Sequence, residues 1–505
     1  MKIFDKDHIY KADETTIKNQ EITSDQLMER AAEQLFNWLN RNLKNKKAKL
    51  HIFCGIGNNG GDGLALARKL HETDYNVAAY IVDFSKNRSK DFLTNLDRLK
   101  QQKLWPNVID EDDSFPEISP DDVIIDAIFG IGLNRPAEGW LRDLIIHLNK
   151  SNAFILSVDV PSGLYLDDIP EDKEAIIKAN YTLTFQVHKL VFFLPETAEF
   201  VGKFEVLDIG LDKDFIAKAK TNMFLISREE AKTLYKTRSK FSHKGTYGHS
   251  LVIGGSYGKM GSIVLAGKAA LKIGAGKVTG IIPKCGYSIF QTAIPEAMAI
   301  TDENEKHLEN AELLIPAETI CIGPGLGTEE KTVNFLKEVL SSQKKPLLID
   351  ADGLNILSEN KELLKNIPQK SVLTPHPKEL ERLIGKWKND FDKLKKAKEF
   401  SKKRKIVLVI KGAYTITIAE ETLYVNTTGN AGMATAGSGD VLSGIISGLL
   451  AQNYDSAIAA VLGVYLHGKA GDLALTDESE ESLIAGEIIT HLGKAFKHLL
   501  KLKRN

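Results

Sequence analysis

Short apolar segments alternate with amphipathic helical segments along nearly the whole chain, and this alternation limits the possible folds more than any other feature. It predicts parallel β-sheets whose faces are covered by helices, that is, an α/β fold. A first series of strands is predicted at residues 50–54, 77–82, 123–128, 154–159, 181–185 and 204–208. A second series is predicted at residues 250–253, 277–282, 320–322, 346–349, 372–374 and 406–410. Helices fill the intervals, for example residues 25–43, which Ser24 can cap.

The two strand series indicate two domains, because a chain of 505 residues is too long for one hydrophobic core. Residues 211–244 separate the series and are predicted to contain a helix, which puts the boundary near residue 220. The glycine motifs of the two halves differ, so the chain is a fusion of unlike domains and not a duplication. We therefore predict a Rossmann-like α/β/α sandwich in residues 1–220 and a second α/β domain in residues 221–505.

Composition and charge exclude several classes of protein. The formal net charge is −1, so the chain as a whole has no electrostatic attraction to nucleic acids or membranes. No apolar run approaches the ~18 residues of a membrane span, and the polar first residues lack the apolar segment of a signal peptide. Cys54, Cys285 and Cys321 form no CxxC pair and are predicted to be small buried residues in a reducing compartment. These observations predict a cytoplasmic protein that acts on small molecules, and they leave a homo-oligomer open.

A glycine-rich turn follows the first predicted strand. Gly55, Gly57 and Gly60 match GxGxxG between a strand and a helix, a pattern that lets a pyrophosphate approach the start of a helix. Asp83, after the next strand, stands where an acid would bind the ribose of NAD. Taken alone, the turn is compatible with an NAD-dependent dehydrogenase or with a tight connection that has no ligand.

Polar side chains follow three predicted strands of the first half. The motifs are Asn58-Asn59-Gly60-Gly61-Asp62, Asp126-Ala-Ile-Phe-Gly-Ile-Gly132 and Asp159-Val-Pro-Ser-Gly163. The carboxyl ends of parallel strands share one edge of a sheet, so these turns are expected to converge there. Their oxygen atoms suit a hard cation. The alternative for each aspartate is that it caps the next helix.

The second half has its own glycine-rich turn, directly before the apolar segment 441–450. Gly437, Ser438 and Gly439 can present backbone N–H groups at a helix N-terminus and so form an anion hole for a phosphoryl group. Asp440 in the same turn can accept a proton from a hydroxyl. Lys411 offers a cation after another strand, and the turns at 323–327, 350–353 and 374–379 also follow strands. The alternative interpretation is a capped helix after a flexible segment.

In this order, the motifs GNNGGDG, DAIFGIG and DVPSG resemble those of the NAD(P)H-hydrate epimerase family, over about residues 1–215. The resemblance implies that Asp159 is the acid–base residue and that Asn59, Asp126 and Ser162 bind a potassium ion. It also implies that the hydrated cofactor is held by the glycine-rich loop, the segment after the strand at 123–128 and the catalytic aspartate. These residues are Asn58, Asn59, Gly60, Gly61, Asp62, Gly130, Ile131, Gly132, Leu133, Asn134, Arg135, Pro136 and Asp159.

The second half resembles the ribokinase-like family, and within it the NAD(P)H-hydrate dehydratases, over about residues 225–500. The motifs are HKGTYGH at residues 243–249, IGPGLG at 322–327 and NAGMATAGSGD at 430–440. The resemblance implies ADP as phosphate donor, Mg²⁺, and Asp440 as the base that deprotonates the hydrate. Implied hydrate-binding residues are Gly325, His376, Pro377, Lys378, Glu379, Leu380, Glu381, Arg382 and Asp440. Implied nucleotide-binding residues are Lys411, Gly412, Ala413, Tyr414, Thr415, Asn430, Ala431, Gly432, Met433, Ala434, Thr435, Ala436, Gly437, Ser438 and Gly439.

Together the two resemblances imply a bifunctional enzyme that repairs hydrated NADH and NADPH. The first domain would interconvert the R and S hydrates, and the second would dehydrate one of them while it converts ADP to AMP and phosphate. Two alternatives are a sugar or vitamin kinase fused to a regulatory dinucleotide-binding module, and a sensor that binds NAD and ADP without turnover. The presence of both Asp159 and Asp440 disfavours the sensor.

Overall fold

The structure, a computed structural model, describes residues 1–501. These residues form two compact units. The first unit holds residues 2–221 together with the short segment 389–391, and the second holds Met1 and the rest of the chain. Each unit is built around its own β-sheet.

The first unit has a seven-stranded parallel sheet with strand order β3-β2-β1-β4-β5-β6-β7. The strands are β1 Leu50–Cys54, β2 Val77–Val82, β3 Asn107–Ile109, β4 Val123–Ala127, β5 Phe154–Val158, β6 Tyr181–Phe185 and β7 Lys203–Leu207. All six predicted strands of this half are confirmed, with ends that shift by one residue. Strand β3 was not predicted, because it is three residues long and two of them are exposed.

The helices of this unit are α1 Lys6–Asn19, α2 Ser24–Asn42, α3 Asn58–Glu72, α4 Lys90–Gln101, α5 Trp140–Lys150, α6 Ala198–Val201 and α7 Lys213–Lys218. The predicted cap of α2 was wrong by one residue. Thr23 caps the helix, because its hydroxyl accepts from the backbone N–H of Gln26 while the Gln26 side chain accepts from the Thr23 N–H. Ser24 is the first helical residue, and its hydroxyl donates to Asp91 at 2.5 Å.

The second unit has a ten-stranded sheet with strand order β11-β10-β9-β12-β13-β14-β15-β16-β17-β8. The strands are β8 Met223–Ile226, β9 His249–Ile253, β10 Lys277–Ile282, β11 Met298–Thr301, β12 Thr319–Ile322, β13 Leu347–Ile349, β14 Val372–Leu373, β15 Val407–Ile410, β16 Ile416–Ala419 and β17 Thr422–Asn426. Pairing is parallel except at β15–β16 and β16–β17. The six predicted strands are confirmed, whereas β8, β11, β16 and β17 were missed. Residues 211–244 contain the expected helix and also β8, which pairs with β17.

The helices here are α8 Arg228–Leu234, α9 Met260–Lys272, α10 Tyr287–Ala293, α11 Glu330–Ser342, α12 Asp352–Glu359, α13 Pro377–Ile384, α14 Asp390–Arg404, α15 Ser438–Ala451, α16 Ser456–Ala474 and α17 Ala485–Leu500. From Val441 to Ala451, α15 is buried on every side, so it is the central helix of this core. The strands β9, β10 and β12–β15 run parallel, so the turns that follow them meet at one edge of the sheet, where α15 begins.

Two of the three cysteines are buried, as the sequence predicts, and one is not. Cys54 and Cys321 are buried in strands, and burial raises the pKa of both thiols. Cys285 is only partly buried, because it lies in a one-turn helix after β10 and not in a strand. Within residues 1–501, every helix is too short or too polar to cross a lipid bilayer.

Candidate active sites

The first site is a cavity of about 460 Å³ at the carboxyl edge of the seven-stranded sheet. The predicted residues that line it are Asn58, Asn59, Asp62, Gly130, Ile131, Gly132, Leu133, Asn134, Arg135, Pro136 and Asp159. Gly60 and Gly61 lie outside the lining. A Cβ on Gly60 would stand 1.6 Å from the carbonyl oxygen of Gly55, and one on Gly61 would meet Met28. These two glycines therefore permit the tight turn from β1 to α3 rather than contact with a ligand.

The carboxylate of Asp126, at the end of β4, is fully buried beneath this cavity. Its Oδ2 accepts from the Ser157 hydroxyl and from the Ser162 N–H, both at 2.8 Å. Its Oδ1 accepts from the Ser162 hydroxyl and from the Ile128 N–H. Burial raises the pKa of Asp126, and these donors oppose the shift. The aspartate therefore ties the turn after β5 to the turn after β4, and it caps no helix.

Asn59 and Ser162 meet at the backbone of Phe129. The Asn59 side-chain amide donates to the Phe129 carbonyl oxygen at 2.9 Å, and the Ser162 hydroxyl approaches the same oxygen at 3.4 Å. The Phe129 N–H in turn donates to the Ser162 Oγ at 2.8 Å. The three predicted potassium ligands are thus brought together in one hydrogen-bonded cluster, with a carbonyl oxygen between two of them.

Asp159 directly follows β5 and stands beside a buried lysine that sequence reasoning missed. Lys189 is 1% exposed, and its Nζ lies 2.7 Å from the Asp159 Oδ1. The same oxygen accepts from the Thr184 hydroxyl at 3.0 Å and from the Phe185 N–H at 3.2 Å. Asp159 has φ +63°, a left-handed conformation that few side chains adopt, and such strain is concentrated at functional sites. The signal for Lys189 was a lone lysine directly before the apolar segment 190–194.

Two more carboxyl groups face the same cavity. Asp62 lies in the first turns of α3, and burial, then Asp159 and Asp13, raise its pKa well above the usual range. Asp13 and Tyr10 come from α1, which carries no motif that would have singled them out. Asp83, the expected ribose-binding acid of a dehydrogenase, lies outside this lining and accepts from Arg88 at 2.6 Å.

The second site lies at the N-terminus of α15. Gly437 has φ +86°, which a side chain would strain, and this turn leads into Ser438 as the first helical residue. The four N–H groups that begin a helix have no partner within it, so they can bind an anion. Asp440 is in the first turn of the same helix. The predicted anion hole and the predicted base are therefore adjacent.

A buried ion pair supports this turn. The Lys411 Nζ lies 2.9 Å from the Asp350 Oδ1, and the Ser443 hydroxyl donates to the Asp350 Oδ2 at 2.7 Å. A Cβ on Gly439 would stand 3.5 Å from the Lys411 Nζ, so the cation lies directly beside the glycine turn. Burial alone would lower the pKa of Lys411, but Asp350 and Glu379 hold it above its ordinary value. The lysine is thus kept charged next to the predicted anion hole.

Among residues 1–501, no lysine lies at ion-pair distance from Asp440. Burial raises its pKa to about 6, and the negative charges of Asp350 and Asp352 add to the effect. A hydrogen bond from Ser262 and the charge of Lys411 oppose it. A carboxyl group with a pKa near neutrality is suited to accept a proton and release it again.

The predicted hydrate-binding segment 376–382 forms the start of α13. His376 caps this helix, since its Nδ1 accepts from the N–H groups of Lys378 and Glu379 at 3.1 and 3.2 Å. Arg382 donates to the Asn355 side chain at 2.7 Å. Gly325, in the turn after β12, has φ +63°, and its carbonyl oxygen accepts from the buried Ser256.

Of the two predicted nucleotide-binding segments, residues 411–415 form the turn from β15 to β16, and residues 430–439 lead into α15. The Asn430 Oδ1 accepts from the Gly432 N–H, and its amide donates to Asp472. His467 on α16 was missed. It is buried, burial lowers its pKa to about 4, and its Nε2 lies 3.3 Å from the Ser438 Oγ. A histidine within an apolar helix was too weak a signal to predict this contact.

Known protein families match both halves of the chain. A family described as NAD(P)H-hydrate dehydratase matches residues 250–493, and one described as YjeF-related protein N-terminus matches residues 24–191. The bifunctional NAD(P)H-hydrate repair enzyme of Moorella thermoacetica is 35% identical, covering 94% of this chain and 92% of its own. That of Dictyoglomus turgidum is 31% identical over the full length of both chains. The chain belongs to the family of bifunctional NAD(P)H-hydrate repair enzymes.

Among solved structures, the ADP/ATP-dependent NAD(P)H-hydrate dehydratase of Bacillus subtilis covers 55% of this chain and all of its own, with 29% identity and a TM-score of 0.47. Membership of the repair-enzyme family confirms the predicted family and the prediction of an enzyme. The two sheets confirm a two-domain α/β fold.

Proposed function

We propose that this chain repairs hydrated NADH and NADPH in two steps, with an epimerase in residues 1–220 and a dehydratase in residues 221–505. The observation that carries the proposal is the coexistence of two built sites in one chain. One joins Asp159 to a buried lysine at the edge of a cavity, and the other puts Asp440 at an anion-binding helix start. Both lie in a chain whose full length matches bifunctional repair enzymes. A cytoplasmic location and a homo-oligomer stay predictions.

In the epimerase, Asp159 acts as the acid–base group. The hydrate carries a hydroxyl on the carbon beside a ring nitrogen, so loss of this hydroxyl gives an iminium-like ring whose stereocentre is gone. Re-addition of water from the other face gives the opposite epimer. Lys189 holds Asp159 in a fixed position, and the loop Asn58–Asp62 together with Gly130–Pro136 binds the hydrate.

Asn59, Asp126 and Ser162 would hold a potassium ion. Asn59 and Ser162 both contact the Phe129 carbonyl, and Ser162 contacts the Asp126 carboxylate, so the three side chains lie in one cluster. Their oxygen atoms are hard ligands, which suit an alkali cation better than a soft metal. Among residues 1–501, no group of three or more His, Cys, Asp or Glu is arranged to hold a metal ion. The ion would fix the turns after β1, β4 and β5 relative to one another.

In the dehydratase, Asp440 deprotonates the hydrate hydroxyl, which is phosphorylated at the N-terminus of α15 and then leaves as phosphate. Residues 411–415 and 430–439 bind the nucleotide, and Gly325 with residues 376–382 binds the hydrate. Lys411 neutralises phosphoryl charge. Magnesium, when bound, supplies further charge neutralisation. The Asp350 carboxylate is already held by Lys411 and Ser443, so nucleotide phosphates would provide most of the ligands.

The test is to incubate the purified protein with separated R and S hydrates and to follow the absorbance of NADH. With ADP, we expect both epimers to be consumed and AMP with phosphate to be released. ATP should support slower turnover at equal concentration. Phosphoryl transfer to a stable product, with no gain of NADH, would refute the dehydratase and favour a kinase. Faster turnover with ATP would refute only the choice of donor.

The potassium site has its own test in the interconversion of separated epimers without nucleotide. Asp126→Ala should weaken both ion and substrate binding, whereas Asp159→Ala should mainly slow the reaction. Exchange of potassium for a bulky organic cation should lower the wild-type rate. Equal rates in both buffers, with normal activity for Asp126→Ala, would show that the cluster is structural.

A further inference from the structure

Helix α1 contributes to the epimerase cavity although the family match begins only at residue 24. Ile9, Tyr10 and Asp13 of this helix line the cavity, together with Asp159 and Lys189 from the sheet edge. The cavity therefore has two acidic walls, one from α1 and one from the turn after β5. The proposed mechanism so far uses only the second.

Asp13 is the carboxyl group of α1 that faces this cavity. Its side chain is only partly exposed, and within residues 1–501 the structure gives it no hydrogen bond or ion pair. The Asp13 carboxyl is therefore available to a ligand that is bound in this cavity. Asp126 and Asp159 differ in this respect, since each accepts several hydrogen bonds.

The electrostatic surroundings of Asp13 keep a proton available near neutral pH. Burial and then the negative charge of Asp159 raise the pKa of Asp13 to about 7, although the charge of Lys189 opposes the shift. Tyr10, Asp62, Asp159 and Lys189 face it in the cavity, and Glu14 acts on it only through its charge, from the exposed side of α1. Lys189 contacts Asp159 directly, at 2.7 Å, so this cation is paired with Asp159.

We propose that Asp13 is a second catalytic acid–base group of the epimerase, acting on the hydrate from the α1 wall while Asp159 acts from the sheet edge. The inference rests on the proposed epimerase function and deepens it. An epimerase must break and form the same bond on opposite faces of one carbon. A proton donor on one face and an acceptor on the other satisfy this need without movement of the substrate.

The proton balance of this scheme closes. As the ring nitrogen pushes its electron pair toward the carbon, the C–O bond breaks and the Asp13 carboxyl gives its proton to the departing oxygen, which leaves as water. A water molecule then attacks the iminium carbon from the other face and loses a proton to the Asp159 carboxylate. One proton has moved from Asp13 to Asp159. Before the next turnover in the same direction, Asp159 releases its proton to solvent and Asp13 takes one up from solvent, so that both groups return to their starting states.

Asp13→Asn is the principal test, and Glu14→Gln on the exposed face of the same helix is its matched control. We expect Asp13→Asn to lower kcat for epimerisation by about 10²–10⁴-fold with KM little changed, and Glu14→Gln to behave as wild type. The wild-type rate should fall as pH rises through about 7, because Asp13 loses its proton there. The rate of Asp13→Asn should not show this decrease with rising pH.

Asp13→Ala, which removes the carboxyl and leaves space, should regain part of its rate when formate is added. If Asp13 had only a structural role, formate would not restore the rate of Asp13→Ala. The epimerisation rate of Asp13→Asn would also still fall as pH rises through about 7. If wild type failed to interconvert the epimers, the proposed function and this inference would both fall. If wild type interconverted them and Asp13→Asn matched its kcat and pH profile, this inference alone would be wrong.

Discussion

Each domain sets a lysine against an aspartate at the carboxyl edge of its sheet, Lys189 fully buried and Lys411 partly buried, but the two domains pair the lysine differently. In the first, Lys189 contacts Asp159, the proposed catalytic residue, at 2.7 Å. In the second, Lys411 contacts Asp350 at 2.9 Å, and no cation among residues 1–501 lies at that distance from Asp440. The lysine therefore pairs with the proposed catalytic carboxylate in one site and with a neighbouring carboxylate in the other, where burial raises the pKa of Asp440 to about 6.

The difference fits the two proposed reactions. Asp159 must be an anion when it receives a proton, so a direct lysine contact suits it. Asp440 must take a proton from a hydroxyl in the presence of a polyphosphate, and Lys411 is of more use beside the phosphate. Burial and the nearby Asp350 and Asp352 give Asp440 its higher basicity instead.

The largest expected effect comes from removal of the unpaired aspartate. Asp440→Asn should lower the rate of dehydration by about 10²–10⁴-fold, because the hydroxyl loses its base. Epimerisation by the same protein should be unchanged. Absorbance of NADH measures the first activity, and chromatographic separation of the epimers measures the second. Glu338→Gln, an exposed acid on α11, is the control and should retain both. A near-normal dehydration rate for Asp440→Asn would mean that the Asp440 carboxylate is not the base of the reaction.

Removal of the paired lysine should affect stability as well as rate. Lys189→Met leaves Asp159 buried beside no cation, and loss of one partner of a buried ion pair costs about 3–5 kcal/mol. We expect a lower unfolding midpoint of the first domain and a slower epimerisation. Urea unfolding can be followed by tryptophan fluorescence, since Trp38, Trp105 and Trp140 lie in this domain.

The matched control is Lys189→Met combined with Asp159→Asn, which removes both charges. It should recover much of the stability and none of the activity. If Lys189→Met alone were as stable as wild type, the Lys189–Asp159 contact would contribute little to the stability of the fold.

The pH dependence of dehydration tests the second half of the comparison. Asp440 is active as its carboxylate, and its pKa is raised to about 6. The carboxylate therefore predominates above that pH and is lost as pH falls through it. We expect the dehydration rate to be level above about 6 and to fall about tenfold per pH unit below. A rate that stays constant as pH falls through about 6 would contradict the assignment of Asp440 as the base.

Much of the fold was predictable because its strands are apolar and follow one another through glycine or aspartate turns. The strands missed in the second unit lack those signals. Strand β8 follows α7 at the domain boundary, and β11 lies at the sheet edge with no fully buried residue. Strands β16 and β17 form an antiparallel pair outside the repeating β–α pattern. Periodicity cannot distinguish such segments from loops.

The sites were predictable where a motif follows a strand, as for Asp126, Asp159 and Asp440. Sequence reasoning missed residues that reach a site from elsewhere in the chain, namely Lys189, Asp13 and His467. Their contacts depend on how helices and later turns pack onto the sheet, and no local spacing encodes that packing.

The smallest expected effect concerns the start of α13, where the motif-based and structural interpretations of one residue differ. The resemblance implies that His376 contacts the hydrate, whereas its Nδ1 caps α13 and its side chain is 47% exposed. His376→Ala should lower stability by about 0.5–2 kcal/mol, because two helix N–H groups lose their acceptor. His376→Asn supplies another good cap and should restore both stability and KM for the hydrate. If the Asn variant regained stability but kept a raised KM, the imidazole itself would have to contact the hydrate, and the cap would be only part of its role.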